Sequence, residues 1–392
     1  MSGVVKLREV VLGATGSQNP TKSPAENFVY VDVAAVDNVE KSITGARTVI
    51  GAEAPSRARK LIRRGDILVS TVRPNLNAVA QVPSELDGQV ASTGFCVLRA
   101  SDKVLPEYLF YFTRSKPFVN GLSALVAGAL YPAVSDSQVL DQALPIPPLP
   151  EQRRIVDLLS RAEGIVRLRR EAEKKASELI PALFLDMFGD PETNPKGWPE
   201  QRLGDIAAVV SGVTKGRKFG DKPTVEVPYL RVANVQAGHV DLSVVKTIEV
   251  LPQDVQQLAL QSGDVVLTEG GDFDKLGRGA LWEHDIPNCI HQNHVFRVRL
   301  DKSIALPEFF VTYLQAGKAR EYFIRCAKKT TNLASINMTQ LRNLPVVLPA
   351  LQAQQSFVNR FRDVRSIQSQ QSTATGKAQA TFDALLAQAF GN

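Results

Sequence analysis

The side chains that could hold a metal ion or act as nucleophiles are few, and three of them lie in one short segment. Cys289, His291 and His294 form a C-x-H-x-x-H run, and thiolate and imidazole groups are common zinc ligands. The run lacks a convincing fourth ligand and has the apolar pattern of a strand. We therefore interpret it as polar groups at a strand end, and the sequence predicts no metal site and no cofactor.

Motifs for covalent chemistry are missing from the sequence. The glycines of Gly270-Gly271 and Gly277-Arg278-Gly279 could hold a phosphate, but a glycine-rich hairpin loop is the commoner explanation. The chain contains no G-x-x-x-x-G-K-[ST] nucleotide loop. It also has no Asn-Pro-Pro or Asp-Pro-Pro run followed by an aromatic residue, which amino-methyltransferases use. The sequence therefore predicts a binding protein and no catalytic residues.

Side chains suited to a nucleic acid lie where loops are predicted in the first half of the chain. A basic run suits phosphate contacts, although a solvated helix face explains it as well. Arg73, Asn75 and Asn77 place one guanidinium and two amides on a single loop, and these groups pair with guanine and adenine edges. The remaining candidates are the basic run itself, Arg57, Arg59, Lys60, Arg63 and Arg64, and a loop tyrosine, Tyr131.

The second half of the chain carries a similar set at different positions. It has its own basic run, a group of predicted base-reading side chains, and a loop that matches the one holding Tyr131. These DNA-binding candidates are Lys215, Arg217 and Lys218, then Lys275, Arg278, Gln292, Asn293 and His294, and finally Lys328, Lys329 and Asn332.

Composition agrees with these expectations without proving them. The 392 residues carry a net charge of +6, which suits an anionic partner, although a slightly basic protein without one is equally ordinary. The three cysteines fit no disulfide framework, and neither a signal peptide nor a membrane span is visible. We expect a soluble cytoplasmic protein.

The chain is an internal duplication. Phe188-Gly189 and Phe390-Gly391 each close one half, and the offset is 390 − 188 = 202 positions. Gly65-Asp66-Ile67-Leu68 in the first half resembles Gly263-Asp264-Val265-Val266 in the second. Two similar units suit a two-sided target such as antiparallel duplex DNA.

Two long segments have the period of a helix with one apolar stripe. The first follows the proline-rich connector 144–150, and its 38 or so residues would give a rod of roughly 55 Å. Neither stripe is wide enough to stabilise an isolated helix. We therefore expect the two helices to pack on each other as an antiparallel coiled coil, the alternative being that each packs on its own globular segment. The spacer residues of the stripes are Ile155, Leu158, Ala162, Ile165, Leu179 and Leu183, and then Phe357, Phe361, Val364, Phe382 and Leu385.

Together these patterns predict an α/β (α+β) fold with two mixed α/β domains in tandem, separated by two long helices. The expected boundaries are a first recognition domain at 1–148, a first helix at 149–190, a linker with the second domain at 191–349, and a second helix at 350–392.

Several of these segments resemble the specificity subunits of type I restriction-modification systems. The resemblance rests on LPIPPLPEQRRIVDLL (144–159), LFLDMFGDP (183–191) and TTNLASINMTQLRNLPVVLP (330–349), and it covers essentially the whole chain. STVRPNLNAVA (70–80), LTEGGDFDKLGRGALW (267–282) and CIHQNHVFRVR (289–299) resemble segments of their recognition domains. The second copy departs from the pattern, because LPALQAQQ (348–355) lacks the Pro-Glu-Gln of the first.

The resemblance implies that each domain reads one half of a bipartite, asymmetric DNA site. It further implies that the helix pair sets the spacing and docks two methyltransferase subunits, and that translocating restriction subunits join the complex. It implies no membrane association. The remaining alternatives are a stand-alone DNA-binding regulator on the same scaffold and an enzyme with an unrecognised active site.

Overall fold

A computed structural model describes residues 3–13, 16–271, 276–329 and 334–391. The chain forms two compact units. Unit 1 comprises residues 1–171 and 373–392, and unit 2 comprises residues 172–372. Each unit therefore contains one globular segment together with part of each long helix. Among the described residues, no helix is both long and apolar enough to cross a membrane.

Unit 1 is a mixed α/β body whose strands are short and joined by tight turns. Its strands are β1 (Gly3–Lys6), β2 (Asn27–Val31), β3 (Val36–Asp37), β4 (Ser42–Ile43), β5 (Arg47–Ile50), β6 (Ala58–Leu61), β7 (Ile67–Ser70), β8 (Val79–Gln81), β9 (Val90–Ser92), β10 (Phe95–Leu98) and β11 (Ala143–Ile146). Its helices are α1 (Pro106–Phe112), α2 (Lys116–Ala124), α3 (Asp136–Leu140) and the start of α4 (Leu149–Phe188).

Unit 2 repeats this plan with different loops. Its strands are β12 (Glu200–Arg202), β13 (Ala207–Ser211), β14 (Val225–Leu230), β15 (Lys246–Val250), β16 (Val265–Thr268), β17 (Gly270–Gly271), β18 (Gly279–Leu281), β19 (Ile290–His291), β20 (Val295–Leu300), β21 (Lys328–Lys329), β22 (Ala334–Ser335) and β23 (Pro345–Val347). Its helices are α5 (Leu203–Ile206), α6 (Pro252–Leu258), α7 (Pro307–Tyr313), α8 (Gly317–Cys326), α9 (Met338–Arg342) and α10 (Leu351–Phe390), whose end lies in unit 1.

The sheets of the two units share part of their connectivity. In unit 1, β2 lies between β5, with which it runs antiparallel, and β9, with which it runs parallel. In unit 2, β14 lies in the same way between antiparallel β15 and parallel β19. A second sheet has the order β10-β7-β8 in unit 1 and β13-β20-β16-β18 in unit 2. The mixed α/β fold predicted from the sequence is confirmed.

A buried ion pair recurs at the same place in both frameworks. Asp66 is 1% exposed and accepts two hydrogen bonds from Arg99, at 2.8 and 2.7 Å. Asp264, also 1% exposed, accepts two at 2.7 Å from Arg299. Each carboxylate also accepts the backbone N–H three residues upstream. The Gly-Asp start of the repeated strand is therefore a structural feature, because a buried carboxylate needs these partners.

The two long helices pack together and run antiparallel, as predicted. In unit 1, Leu159 near the start of α4 shares a core with Phe382 and Phe390 at the end of α10. In unit 2, Phe184 near the end of α4 lies with its ring centroid 5.7 Å from that of Phe357 near the start of α10. Helix α4 continues through Pro181 to its end.

The buried seam of α4 differs by one position from the predicted stripe at two places, and a third predicted residue is also exposed. Leu158, Ile165 and Leu179 were expected to face the partner helix, but they are 41%, 53% and 46% exposed. Leu159 and Val166 are buried instead. Adjacent residues on a helix lie about 100° apart, so a run of neighbouring apolar side chains leaves the buried one undetermined.

The other predicted spacer residues lie at or beside the packed face. Ile155, Ala162 and Leu385 pack against the unit 1 core that contains Phe382, and Leu183 packs against the unit 2 core that contains Phe357 and Phe361. Val364 is half-buried in the helix α10.

A buried glutamine fastens each long helix to its globular segment. Gln152 Nε2 donates to the Lys103 and Pro147 carbonyls, and its Oε1 accepts the N–H of Leu105 at 2.9 Å. Gln354, at 152 + 202 = 354, repeats all three bonds. The second copy therefore keeps the glutamine of Pro-Glu-Gln, which is fully buried, and replaces the other two residues, which are not.

Replacing Gln354 with methionine should lower the free energy of unfolding by about 2–3 kcal/mol, because one buried N–H and two buried carbonyls lose their partners. The neighbouring exposed Gln355→Met should change it by less than about 0.5 kcal/mol. Urea-induced unfolding of the full chain measures both. Equal midpoints for the two variants would contradict the role of Gln354.

Candidate nucleic-acid interface

The basic run of unit 1 lies on a strand and not on a helix. Arg59 and Lys60 belong to β6, whereas Arg57, Arg63 and Arg64 are exposed in the turns at its two ends. The proposed alternative of a solvated helix face is therefore wrong, because β6 pairs with β9.

Two members of this run already have partners within unit 1. The Lys60 ammonium forms an ion pair with the Asp136 carboxylate, and the Arg59 guanidinium donates to the Ala58 carbonyl. Lys60 therefore has a charged partner within the protein, so the exposed arginines at the ends of β6 are the better candidates for phosphate contacts.

The loop with Arg73 and Asn75 presents both side chains to solvent. Arg73 and Asn77 adopt left-handed backbone conformations, with φ of 49° and 46°, on either side of a short 3-10 turn that begins at Pro74. The Arg73 N–H donates to the Pro132 carbonyl at 2.8 Å. This bond joins the turn to the neighbouring loop, where the Tyr131 side chain is exposed. Arg73, Asn75 and Tyr131 therefore lie on adjoining loops, as base-reading groups would.

Asn77 has a structural role in place of the predicted base contact. Its Nδ2 donates to the Thr113 carbonyl at 2.8 Å, and its Oδ1 accepts from Lys41 Nζ at 3.0 Å. Burial, together with the nearby Arg114 charge, lowers the pKa of Lys41 to about 8. Because both ends of the Asn77 amide are engaged, this side chain holds the turn in shape.

The basic run of unit 2 is exposed and surrounded by aromatic rings. Lys215 Nζ lies 5.8 Å from the ring centroid of Tyr229, and the Arg217 guanidinium lies 5.3 Å from that of Phe219. Arg217 also pairs with Asp254 at 3.0 Å. Lys218 is exposed beside them. The Asp254 pair reduces the charge that Arg217 offers to phosphate.

A groove of about 500 Å³ in unit 2 brings together predicted and unpredicted residues, and we refer to it as the unit 2 groove. Its floor is the glycine strand β17, which pairs with β22, so Gly270-Gly271 is not a hairpin loop. A Cβ on Gly270 would lie 2.8 Å from the Ala334 carbonyl oxygen, so this close approach of strands requires glycine. The groove is lined by Val232, Glu269, Gly270, Gly271, His294, Lys328, Ala334 and Ser335.

Hydrogen bonds connect the side chains at one edge of this groove. His294 Nδ1 lies 2.5 Å from Glu269 Oε2, and His294 Nε2 lies 3.2 Å from Asn293 Nδ2. This network assigns the imidazole proton to Nδ1, which donates to the carboxylate, while Nε2 accepts from the amide.

Among the remaining candidates of unit 2, the structure describes the side chains of Arg278 and Gln292. Arg278 donates to Gln236 Oε1 at 2.9 Å. Gln292 is half-buried, and its backbone N–H donates to the Leu230 carbonyl. Lys275, Asn332 and the side chain of Lys329 lie outside the described residues.

The C-x-H-x-x-H run does not come together as a ligand set. The His291 side chain is buried, with Nδ1 2.6 Å from the Val295 carbonyl oxygen, and burial lowers its pKa to about 4. Burial also raises the pKa of the Cys289 thiol to about 12. Within the described parts of the chain, no three His, Cys, Asp or Glu side chains are grouped as metal ligands.

Sequence reasoning missed Glu269 and Asp136. Both are acidic, whereas the predicted DNA contacts were chiefly basic and amide side chains. The position of Glu269 next to the glycine pair was the available signal, since a carboxylate beside a loop predicted to read DNA needs an explanation.

A family model described as the type I restriction modification DNA specificity domain matches residues 4–176 and again residues 195–374. The two matches together span most of the chain. The chain belongs to this family. As a specificity subunit it selects DNA sequence and is not itself catalytic, and its two tandem domains fit recognition of a two-part site.

Individual relatives agree with this assignment. The specificity subunit of type I restriction enzyme EcoKI from Escherichia coli (strain K12) is 26% identical over 313 residues, or 76% of this chain and 67% of the relative. A solved chain from a study of complex assembly and conformational transition of the type I R-M system is 30% identical, with a TM-score of 0.65, and covers 99% of this specificity subunit and 97% of that chain. The S subunit from M. genitalium is 14% identical with a TM-score of 0.55, covering 100% and 96%, and shows the same fold.

Replacing Arg73 with alanine should weaken binding to the specific duplex about 10-fold, because one guanidinium contact is lost, and should leave thermal unfolding unchanged. Asn77→Ala should instead lower stability by about 2 kcal/mol, through two lost hydrogen bonds and a left-handed backbone at a non-glycine residue. Fluorescence anisotropy and thermal melts measure the two effects. An Asn77→Ala variant that melts like the wild type would contradict the structural role.

Proposed function

We propose that each globular segment of this specificity subunit reads one half of a bipartite, asymmetric DNA sequence. The observation that carries the proposal is a common framework with unlike loops. The pairs Asp66–Arg99 and Asp264–Arg299 recur with the same geometry. The positions five residues after each aspartate differ. Thr71 is buried and its hydroxyl donates to the Gly94 carbonyl, whereas unit 2 has the partly exposed Glu269 at the corresponding position. Similar scaffolds with different reading groups suit two different half-sites.

The helix pair sets the distance between the half-sites in this proposal. Each helix has 40 residues, which corresponds to about 60 Å. That length equals nearly two turns of B-DNA at about 34–36 Å per turn, which leaves room for base pairs that neither domain reads.

The helices also provide the docking surface for two methyltransferase subunits, and translocating restriction subunits complete the cytoplasmic complex. Exposed apolar side chains on α4 support this part of the proposal. Leu158, Ile165 and Leu168 are exposed in unit 1, and Leu179 and Leu185 are exposed in unit 2. Exposed apolar side chains that recur along a helix are typical of a binding surface.

Exchange of residues 1–148 for the first recognition domain of another family member should change only one half of the methylated sequence, because each domain carries its own reading loops. Mapping modified bases in cells that also express the methyltransferase measures this. Exchange of residues 191–349 is the matched control and should change only the other half. A change in both halves after either exchange would show that the domains do not read independently.

Deletion of seven residues from the middle of both long helices should shorten the unread gap by about three base pairs. Two helical turns correspond to about 10 Å, and each base pair to about 3.4 Å. Seven residues keep the apolar seam in register. The same mapping of modified bases measures the gap, and an unchanged gap would contradict the spacing role.

A further inference from the structure

We propose that Glu269 is a specificity-determining residue, whose carboxylate accepts a hydrogen bond from the exocyclic amino group of a cytosine or adenine in the half-site read by unit 2. This inference rests on the proposed function of unit 2 as a half-site reader. It adds a residue that was not among the candidates, and it names the chemical group that the residue recognises.

Glu269 lies at the edge of the unit 2 groove together with His294 and Lys328. In the sequence, Gly271 directly precedes residues 272–275 and Ala334 directly follows residues 330–333, and these two segments hold the DNA-binding candidates Lys275 and Asn332. The groove lining therefore includes residues that are next in sequence to both segments predicted to contact DNA.

Backbone hydrogen bonds fix Glu269 from two sides. Its N–H donates to the His294 carbonyl at 3.0 Å, and its own carbonyl accepts the N–H of Ile336 at 2.8 Å. Thr268 before it is buried in β16, and Gly270 after it is paired with Ser335 in β22. A reading group needs such support, because a loosely held side chain cannot discriminate between base edges.

The Glu269 carboxylate has hydrogen-bonding capacity beyond its bond to His294. His294 Nδ1 donates to Glu269 Oε2 at 2.5 Å, and within the described part of the chain no other hydrogen bond reaches that carboxylate. The side chain is 30% exposed and belongs to the groove lining, so its second oxygen is available as an acceptor. The imidazole of His294 donates its proton to this carboxylate, and Asn293 donates to the other ring nitrogen. The groove therefore presents the carboxylate oxygen as a hydrogen-bond acceptor.

The negative charge of Glu269 restricts which bases it can contact favourably. A carboxylate beside a phosphate backbone costs electrostatic energy, and that cost is offset only where the carboxylate meets a donor. Cytosine N4 and adenine N6 are the amino donors of the major groove, while guanine O6 and thymine O4 are acceptors that a carboxylate repels. Glu269 therefore both selects an amino-bearing base and rejects the other two. Lys328 on the same groove is a cation suited to phosphate.

Unit 1 provides the internal contrast. The corresponding position is Thr71, whose hydroxyl donates to the Gly94 carbonyl at 3.0 Å and which is 7% exposed. Because the Thr71 hydroxyl already bonds within unit 1, only the half-site read by unit 2 should depend on this position.

The test compares the wild-type full-length chain with Glu269→Ala, each with its copurifying methyltransferase, on duplexes that carry the mapped site. Each cytosine of the second half-site is replaced in turn by 2-pyrimidinone, and each adenine by purine, since both analogues lack the exocyclic amino group. The wild type should lose about 10- to 100-fold in affinity at one position. Glu269→Ala should bind the natural duplex about as weakly as the wild type binds that analogue duplex. The analogue should then lower the affinity of Glu269→Ala little further, because the carboxylate that contacts the amino group is already gone.

Two controls separate this effect from a general loss of binding or of folding. Glu249→Ala removes an exposed carboxylate on β15 of the same unit and should behave like the wild type. Base substitutions in the first half-site should lower the DNA affinity of the wild type and of Glu269→Ala equally. This result also shows that Glu269→Ala is folded.

The outcomes distinguish the inference from the proposed function. The position of the sensitive analogue identifies the base as cytosine or adenine. If Glu269→Ala discriminates against every amine-lacking analogue as strongly as the wild type, the role of Glu269 is wrong while half-site reading stands. If the wild type itself shows no preference for a bipartite sequence, the proposed function is wrong.

Discussion

The packing of the two long helices on each other is the interaction on which the rest of the structure depends. Neither helix has an apolar face wide enough to be stable alone. The start of α4 is buried against the end of α10 through Leu159 and Phe382, and the end of α4 against the start of α10 through Phe184 and Phe357. Each compact unit therefore needs residues that are about 200 positions apart in the sequence, and neither unit is a continuous piece of chain.

This constraint explains which residues recur and which differ. Gln152 and Gln354 recur because they fasten a helix start to its globular segment with the same three hydrogen bonds. Asp66 and Asp264 recur because each buried carboxylate holds an arginine on the neighbouring strand. Loop residues contribute little to these contacts, and so the reading groups of the two units are free to differ.

The candidate interface shows the same division on a smaller scale. In unit 1, Asn77 and Lys41 hold a turn whose exposed members, Arg73 and Asn75, are the proposed DNA contacts. In unit 2, Asn293 and His294 hold the Glu269 carboxylate at the edge of a groove. In both cases some polar side chains of a candidate set support the local backbone or a neighbouring side chain, and the residues beside them are the proposed contacts. A list of suitable residue types does not separate these two roles.

The sequence by itself determined the duplication, the mixed α/β class, the long helices and the family. These follow from local patterns and from repetition at a fixed offset, which require no knowledge of what touches what. The tertiary structure decided the rest. Leu159 and Val166 are buried in place of Leu158 and Ile165, because only packing against the core selects between adjacent apolar residues. The tertiary structure also assigned Asn77 and Lys60 to internal partners and placed Glu269 beside His294, because those contacts join residues that lie 25 to 76 positions apart in the sequence.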